Sequence, residues 1–286
     1  MKQGDDPIKL RMRHFFRIIE QGDCSMEPGK VYLVGAGPGD PKLLTVYGLE
    51  CIQKSDVIAY DRLVNPKLLE YAKDTAELIY CGKSPGKHHL IQEEIHTLLV
   101  EKSMEGKTVT RLKGGDPCVF GRVGEEAEVL AEHGIHYEIV PGVTAGIAAP
   151  AYAGIPVTHR DYASSFAIVT GHGRDSKGED HLNWSALAQG IDTVAFYMGV
   201  GNLAYICQQL IVHGRKSKTP VAIIEWGTTE KQRTLIGDLE TINDLVAKEN
   251  IQNPAMVLVG EVIHLREKIK WFEELGEKQE VRIGRE

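Results

Sequence analysis

The sequence predicts an α/β fold with two αβα domains, in each of which a largely parallel sheet lies between layers of helices. Short apolar runs typical of buried strands alternate with helix-like stretches along the chain. Several of these runs lead into turns rich in glycine. Because ligands of open α/β sheets bind outside the carboxyl ends of the strands, we expect the active site in a cleft between the two domains.

The predicted strands fall in both halves of the chain. They cover residues 31–34, 57–60, 78–81, 109–112, 137–140, 166–170, 193–197, 221–225, 234–236 and 256–259. An apolar helix face is predicted between the third and fourth strands, at Ile91, Ile95, Leu98 and Leu99. A break at residues 154–161 sets the boundary between the domains, 30–158 and 159–286. Residues 1–29 form an N-terminal extension whose role stays open, and an antiparallel element is expected at 232–237.

The turn Leu112-Lys113-Gly114-Gly115-Asp116-Pro117 follows the fourth predicted strand. Two adjacent glycines permit positive φ angles or a close approach of another backbone, which favours a small ligand at this turn. A solvent-exposed hairpin turn is the alternative, since Gly-Gly and Asp-Pro are common in ordinary turns. The second glycine-rich segment that follows, Val119-Phe120-Gly121-Arg122, favours the ligand site.

A matching turn follows the first predicted strand, at Gly35-Ala36-Gly37-Pro38-Gly39-Asp40-Pro41. A strand, a glycine turn and a helix in this order are typical of nucleotide sites. A dinucleotide fingerprint is not met, because Asp40 stands at its third glycine position, and a P-loop ending at Ser84 would require a glycine at Glu77. A third such turn leads from Pro141 to Gly146, where small residues also serve tight helix packing.

The composition is that of a soluble enzyme. The chain has 286 residues, 42% of them hydrophobic, and no apolar run reaches the roughly 18 residues that a membrane helix needs. Five scattered cysteines without a CxxC pair favour reduced thiols and a cytoplasmic location. No metal is expected, because the histidines lack ligand partners at suitable spacing. The net charge of −7 governs solubility and long-range steering, whereas ligand binding depends on the local distribution of charge.

A family resemblance rests on motifs that occur in order between Lys30 and the mid-260s. These are VYLVGAGPGDPKLLT, AYDRLV, LKGGDPCVFGR, VPGVTA, PAYAGIPVTHRDYA, TGH, FYMG and EWGT. The chain resembles the uroporphyrinogen-III C-methyltransferases of the tetrapyrrole methylase superfamily, in a stand-alone form. The resemblance implies transfer of methyl groups from S-adenosyl-L-methionine to C-2 and C-7 of uroporphyrinogen III. The products would be precorrin-2 and S-adenosyl-L-homocysteine, for sirohaem or cobalamin biosynthesis, and the enzyme would be a homodimer without membrane or nucleic-acid partners.

The resemblance also implies roles for individual residues. Asp61 is marked as the proton acceptor and Lys83 as the donor, although the first could be a turn residue and the second a carboxylate-binding cation. The cofactor-binding residues implied are Pro38, Gly114, Gly115, Asp116, Val119, Phe120, Thr144, Ala145, Met198 and Gly227. For Val119 and Met198 a place in the hydrophobic core is the alternative. Val123 departs from the family pattern, which has glycine there, and puts the local backbone in doubt.

A substrate with eight carboxylates calls for cations near the site. We expect substrate-binding side chains at Arg62, Lys87, Arg122, His159 and Arg160. Acidic residues such as Glu125, Glu126 and Glu128 are expected elsewhere, on a helix. Two other functions stay open: a methylase of the same superfamily with another substrate, and a non-catalytic nucleotide-binding module. YDRLV and AGIPVTHR speak against the first, and Asp61 with a basic cleft speaks against the second.

Overall fold

The computed structural model describes residues 27–82, 91–171 and 181–272. These residues belong to two compact units, 1–143 and 144–286, which we describe separately. No helix in the described ranges is both long enough and apolar enough to cross a membrane.

The first unit is built on a five-stranded parallel sheet. Its strands are β1 (Val31–Gly35), β2 (Val57–Tyr60), β3 (Glu77–Tyr80), β4 (Val109–Lys113) and β5 (Tyr137–Val140). The strand order is β3-β2-β4-β1-β5, and every neighbouring pair is parallel. The parallel sheet expected here is therefore confirmed, and the carboxyl ends of all its strands lie at one edge.

Helices cover both faces of this sheet. They are α1 (Val46–Lys54), α2 (Gln92–Met104) and α3 (Val123–Glu132), with 3₁₀ helices at Pro41–Leu43 and Pro66–Tyr71. Val31 and Leu33 of β1 pack with α2 and α3, whereas Tyr32 and Val34 pack with α1. Successive side chains of a strand point to opposite faces, so each face has its own core, and each buried aliphatic side chain contributes about 1.5 to 3 kcal/mol.

Strand β4 is buried along its whole length, including the polar residues that alternate in its sequence. Thr110 is satisfied on the α1 side, where its hydroxyl lies 2.7 Å from the hydroxyl of Ser55. Arg111 and Lys113 lie on the opposite side, toward α3. Cations in a central strand need buried counter-charges, and Glu126 of α3 pairs with both of these.

The second unit contains a mixed sheet of five strands. They are β6 (Phe166–Thr170), β7 (Thr193–Tyr197), β8 (Pro220–Glu225), β9 (Arg233–Asp238) and β10 (Ala255–Val259), in the order β6-β7-β10-β8-β9. Only the pair of β6 and β7 is parallel among these neighbours. The expectation of a largely parallel second sheet was wrong, because β10 inserts antiparallel between β7 and β8. The antiparallel element expected at 232–237 is confirmed as β9.

Strands β6, β7 and β8 nevertheless run in the same direction, since β7 and β8 are both antiparallel to β10. Their carboxyl ends therefore share one edge of the sheet. The helices of this unit are α4 (Ala145–Tyr152), α5 (Trp184–Gly190), α6 (Leu203–Val212), α7 (Ile242–Lys248) and α8 (Arg266–Ile269), with 3₁₀ helices at Val200–Asn202 and Glu261–Leu265. Helices α5, α6 and α7 pack on one face of the sheet and α4 on the other.

The division between the units lies earlier than the boundary drawn at Thr158. Helix α4 packs against β7 and β10, and its Ala149 joins the core of the second unit together with Ala153, the residue that follows the helix. Residues 144–158 therefore belong with the second sheet, and the boundary moves to Val143. The cleft expected between the two domains stays a prediction.

Candidate active site

The loops that follow β1 and β4 are joined by their backbones. Gly37 and Gly115 exchange two hydrogen bonds, from the Gly37 N–H to the Gly115 carbonyl at 3.1 Å and in the reverse direction at 2.7 Å. Both glycines have positive φ angles, 77° and 71°, which side chains rarely permit. Pro38, a predicted cofactor residue, is thereby held beside the Gly114-Gly115 turn.

The end of β5 lies against the same pair of loops. A Cβ atom on Gly35 would approach the Cα of Gly142 to 2.6 Å, so the two backbones are in direct contact. The loop after β2 is hydrogen-bonded to the loop after β1, because the side-chain amide of Asn65 donates to the carbonyl of Gly39 at 2.7 Å. Four strand-end loops of the parallel sheet therefore meet at one place, as the glycine turns predicted.

Asp116 organises two of these loops through its carboxylate. Oδ1 accepts a hydrogen bond from the backbone N–H of Cys118 at 2.8 Å, and Oδ2 accepts one from the N–H of Gly142 at 2.9 Å. Each carboxylate oxygen has further acceptor capacity. Asp116 therefore orients the loop after β4 through two hydrogen bonds within the protein.

The backbone beyond this loop adopts an unusual conformation. Phe120 and Arg122 have positive φ angles of 56° and 57°, a region that costs a residue with a side chain about 1 to 3 kcal/mol. Phe120 is 45% exposed, and Val119 is half-buried. Val123 is buried as the first residue of α3, so the departure from the family's glycine is accommodated at the helix start. An exposed aromatic ring on a strained backbone is typical of a ligand contact.

In the second unit, Tyr197 at the end of β7 caps helix α4. Its hydroxyl accepts a hydrogen bond from the N–H of Gly146 at 2.6 Å and also bonds the hydroxyl of Thr144. Thr144 is the residue before the helix but makes no side-chain cap of its own. The tyrosine therefore takes the place of the usual N-cap side chain, and it fixes the orientation of a predicted cofactor residue. Ala145, the next one, is the first residue of this helix.

The remaining predicted cofactor residues of this unit lie at the ends of β7 and β8. Met198 follows Tyr197 with a φ of 54° and is 45% exposed, which rules out a place in the core. Gly227 lies against α4, because a Cβ atom there would be 2.5 Å from the Cβ of Ala149. Its neighbours Trp226 and Thr228 both have positive φ angles. Strained backbone again coincides with the predicted cofactor positions.

Asp61 lies directly after β2 and is paired with a buried cation. Its Oδ1 accepts a hydrogen bond from Nη2 of Arg111 at 2.5 Å, and its side chain is 31% exposed. The carboxylate is thus accessible from solvent on one side and held from the protein interior on the other. Lys83, its predicted partner in proton transfer, lies outside the described residues, as does Lys87.

The predicted substrate cations occupy different settings. Arg62 is an exposed turn residue next to Asp61, and Arg122 makes a two-point ion pair with Glu125, at 2.8 and 2.7 Å. In the second unit, Nδ1 of His159 accepts from the N–H of Asp161 at 3.1 Å. Arg160 is exposed. Each unit therefore presents a guanidinium at the surface in a segment that carries a family motif.

Sequence reasoning missed the buried charges beneath Asp61. Glu126, which we expected on a helix away from the substrate-binding cations, is fully buried, and Lys113 donates to its Oε1 at 2.7 Å. Burial and the neighbouring Arg111 lower the pKa of Lys113. Lys113 is therefore a buried ion-pair partner of Glu126. No sequence signal marks this pair, because apolar and polar residues alternate in β4 as they do in a half-exposed strand.

Comparison with known proteins identifies the family of this chain. Residues 30–243 match the family model described as Tetrapyrrole (Corrin/Porphyrin) Methylases. The chain therefore belongs to the tetrapyrrole methylases.

Within that family, the relatives point to one group. The chain is 63% identical over 236 residues to the uroporphyrinogen-III C-methyltransferase of Priestia megaterium, covering 82% of this chain and 99% of that one. It is 50% identical over 261 residues to the siroheme synthase of Pseudomonas paraeruginosa, covering 90% of this chain but only 56% of that longer protein. The solved uroporphyrin-III C-methyl transferase of Thermus thermophilus, complexed with S-adenyl homocysteine, superposes with a TM-score of 0.70 at 39% identity, covering 83% and 100% of the two chains.

Proposed function

We propose that this chain catalyses the S-adenosyl-L-methionine-dependent C-methylation of uroporphyrinogen III at C-2 and C-7. The products are precorrin-2 and S-adenosyl-L-homocysteine, which serve sirohaem or cobalamin biosynthesis. The observation that carries the proposal is the 63% identity to the Priestia methyltransferase across nearly the whole of that enzyme. The similarity to part of a siroheme synthase supports the sirohaem branch.

S-adenosylmethionine supplies the methyl group as an electrophilic sulfonium. The residues proposed to hold it fit such a ligand. The backbone at Gly114 and Gly115 carries no side chains that would block an adenosyl group, and Phe120 and Met198 offer exposed apolar surface. The full set proposed is Pro38, Gly114, Gly115, Asp116, Val119, Phe120, Thr144, Ala145, Met198 and Gly227. Alignment of the reacting atoms can contribute roughly 7 to 11 kcal/mol to a displacement of this kind.

A C-methylated macrocycle must lose a proton, and we assign its uptake to Asp61. The supporting observations are its position at a strand end beside the glycine loops and its partial exposure. A carboxylate held by one fixed donor keeps an oxygen available to accept a proton. Lys83 is proposed as the matching proton donor on the strength of the resemblance.

The substrate carboxylates are proposed to bind a set of cationic side chains. These are Arg62, Lys87, Arg122, His159 and Arg160. The exposed guanidiniums of Arg62 and Arg160 support this role, because a guanidinium binds a carboxylate through two parallel hydrogen bonds. Arg122 can take part only if its ion pair with Glu125 is shared or opened.

The proposal is tested by incubating the purified chain with uroporphyrinogen III and S-adenosylmethionine under exclusion of oxygen. We expect two S-adenosylhomocysteine molecules for each tetrapyrrole and a product heavier by two methyl groups, as read by mass spectrometry. A later corrinoid accepted in place of uroporphyrinogen III would move the chain to another branch of the family. Binding of the cofactor without any transfer would favour a non-catalytic module.

A homodimer and a cytoplasmic location complete the proposal. The resemblance supports the dimer, and sedimentation at micromolar concentration would contradict it by giving the 31.6 kDa mass of one chain. The four described cysteines are free thiols, three of them buried, which agrees with a reducing compartment.

A further inference from the structure

Arg111 connects the candidate proton acceptor to the interior of the first unit. Its guanidinium is 2% exposed, and each of its three nitrogens is engaged. Nη2 donates to Asp61 at 2.5 Å, and Nε donates to Oε1 of Glu126 at 3.3 Å. Nη1 reaches the carbonyl oxygens of Ala59 at 3.3 Å and Leu112 at 3.4 Å. The planar group is thus fixed at the end of β2, with one edge toward Asp61.

Glu126 of α3 supplies the charge that balances this guanidinium. The side chain is fully buried, and its Oε1 receives Lys113 at 2.7 Å and Gln92 at 3.2 Å in addition to Arg111. Its Oε2 has no hydrogen-bond partner among the described residues. Asp61, Arg111, Glu126 and Lys113 form a chain of alternating charges from the accessible carboxylate to the core.

Stability alone is a weak reason for such a chain. Buried ion pairs are expensive to desolvate, and their replacement by well-packed apolar side chains is often neutral or stabilising. An interior lined by Val123, Ala127 and Leu130 could accommodate apolar residues at these positions. What apolar residues could not do is hold the Asp61 carboxylate in one orientation.

We infer that Arg111 and Glu126 are positioning residues for methyl transfer: Glu126 holds the Arg111 guanidinium, and Arg111 orients the Asp61 carboxylate for uptake of the substrate proton. The inference rests on the proposed role of Asp61. It assigns to the helix residue Glu126 an effect on turnover without contact to substrate or cofactor. Small misplacements of a catalytic group are costly, up to about 10²-fold in rate for 1 Å.

The test is a double-mutant cycle with Asp61→Asn and Glu126→Gln, in which kcat and KM are measured for methyl transfer to uroporphyrinogen III. We expect Asp61→Asn to lower kcat by roughly 10²- to 10⁴-fold and Glu126→Gln by about 10- to 100-fold. The dissociation constant for S-adenosylhomocysteine, measured by calorimetry, changes by less than about twofold in both variants. In the Asp61→Asn background, Glu126→Gln has no further effect on kcat, because Glu126 acts through Asp61.

Two matched variants separate positioning from general effects of charge and packing. Glu128→Gln removes the same charge from an exposed position of the same helix and keeps wild-type turnover. Arg111→Lys keeps the positive charge, but a single ammonium cannot reproduce the fork that holds Asp61 and Glu126 together, so kcat falls here as well. If Glu126→Gln does not fold, the cycle is measured with Asp61→Asn and Arg111→Lys instead.

Each adverse result has its own meaning. An equal loss from Glu126→Gln in both backgrounds overturns the positioning role and leaves the methyltransferase function in place. Full turnover in Asp61→Asn or in Arg111→Lys also overturns the positioning role. A wild-type chain that releases no S-adenosylhomocysteine with uroporphyrinogen III overturns the proposed function, and the inference with it.

Discussion

A Cβ atom on Gly142 would lie 2.4 Å from the carbonyl oxygen of Gly115. The two residues follow different strands, β5 and β4, so this contact joins segments that are distant in sequence. The three atoms nearest to this Cβ position, the Gly115 carbonyl oxygen and the Cα and carbonyl carbon of Gly35, are backbone atoms, which cannot rotate away. The edge of the parallel sheet is therefore closed by contacts that only glycine permits.

Gly142→Ala is expected to lower the free energy of unfolding by about 3 kcal/mol, because the added methyl group overlaps fixed backbone. The affinity for S-adenosylhomocysteine falls with it, since the displaced Gly115 lies in the proposed cofactor loop. Gly124→Ala is the matched control: its Cβ would meet no atom within 4 Å, and the residue lies in α3. It should stabilise the chain by about 1 kcal/mol in urea unfolding. Equal behaviour of the two variants would contradict the steric argument.

Asp116 has two roles to be tested: it orients the loop after β4, and it is proposed to bind the cofactor. Asp116→Ala removes both backbone hydrogen bonds, and we expect about 2 kcal/mol less stability and an increase of about tenfold in the dissociation constant for S-adenosylhomocysteine. Asp116→Asn keeps an acceptor for one N–H, of Cys118 or Gly142, so its effects are smaller. Asp74→Ala, at an exposed position of the same unit, serves as control. Calorimetry that shows unchanged affinity for Asp116→Ala would remove Asp116 from the cofactor site.

Tyr197→Phe tests the cap of helix α4. Loss of the hydroxyl leaves the N–H of Gly146 without its acceptor and releases the side chain of Thr144, at a cost of about 1 to 3 kcal/mol in unfolding free energy. Because Thr144 is a proposed cofactor residue, the affinity for S-adenosylhomocysteine should fall as well. The exposed Tyr71, changed to Phe, controls for the loss of a phenol. Lower stability with full affinity would show that the cap does not act on the cofactor site.

The hydrogen-bonded carboxylate of Asp192 should make the free energy of unfolding depend on pH in the acidic range. Hydrogen bonds from the Ser165 hydroxyl and the Ser164 backbone hold the pKa of Asp192 below its ordinary value. A lowered pKa stabilises the folded chain above the unfolded-state value, and this contribution is lost as the pH falls through the folded-state value. The stability difference between wild type and Asp192→Asn should be about 1 kcal/mol near neutral pH and shrink as the pH falls through the lowered folded-state pKa of Asp192. Glu230→Gln, the same kind of change at an exposed position of the same unit, is the matched control.

The strands could be predicted because both faces of each sheet are covered. Central strands such as β2 and β8 are buried almost throughout, so they appear as continuous apolar runs between polar turns. Each predicted strand corresponds to an observed one with bounds that differ by at most two residues. The direction of β10 could not be predicted, because a buried strand has the same apolar pattern in a parallel and in an antiparallel pair.

The meeting of the strand-end loops was predictable because it depends on backbone contacts, whereas the roles of the site residues stay predictions. Gly115 has a φ of 71°, and a Cβ atom on Gly142 would overlap neighbouring backbone, so both positions favour glycine. The roles of Tyr197 and Glu126 were not visible, since each depends on a partner in a distant element, and an acidic residue on a helix is usually solvated. The burial of Arg111 could not be recognised from the sequence. Apolar and polar residues alternate in β4, which is typical of a half-exposed strand, although every residue of β4 is buried.

The paired loops at Gly37 and Gly115 also bear on how this scaffold can be altered. Two reciprocal hydrogen bonds fix the lengths of both loops at once, so an insertion in one leaves the other without its partner. In a chimaera of this chain and another methylase, both loops should therefore come from the same parent protein. Libraries aimed at new tetrapyrroles are better directed at the side chains of Arg62 and Arg160, because such substitutions leave the length of every loop unchanged.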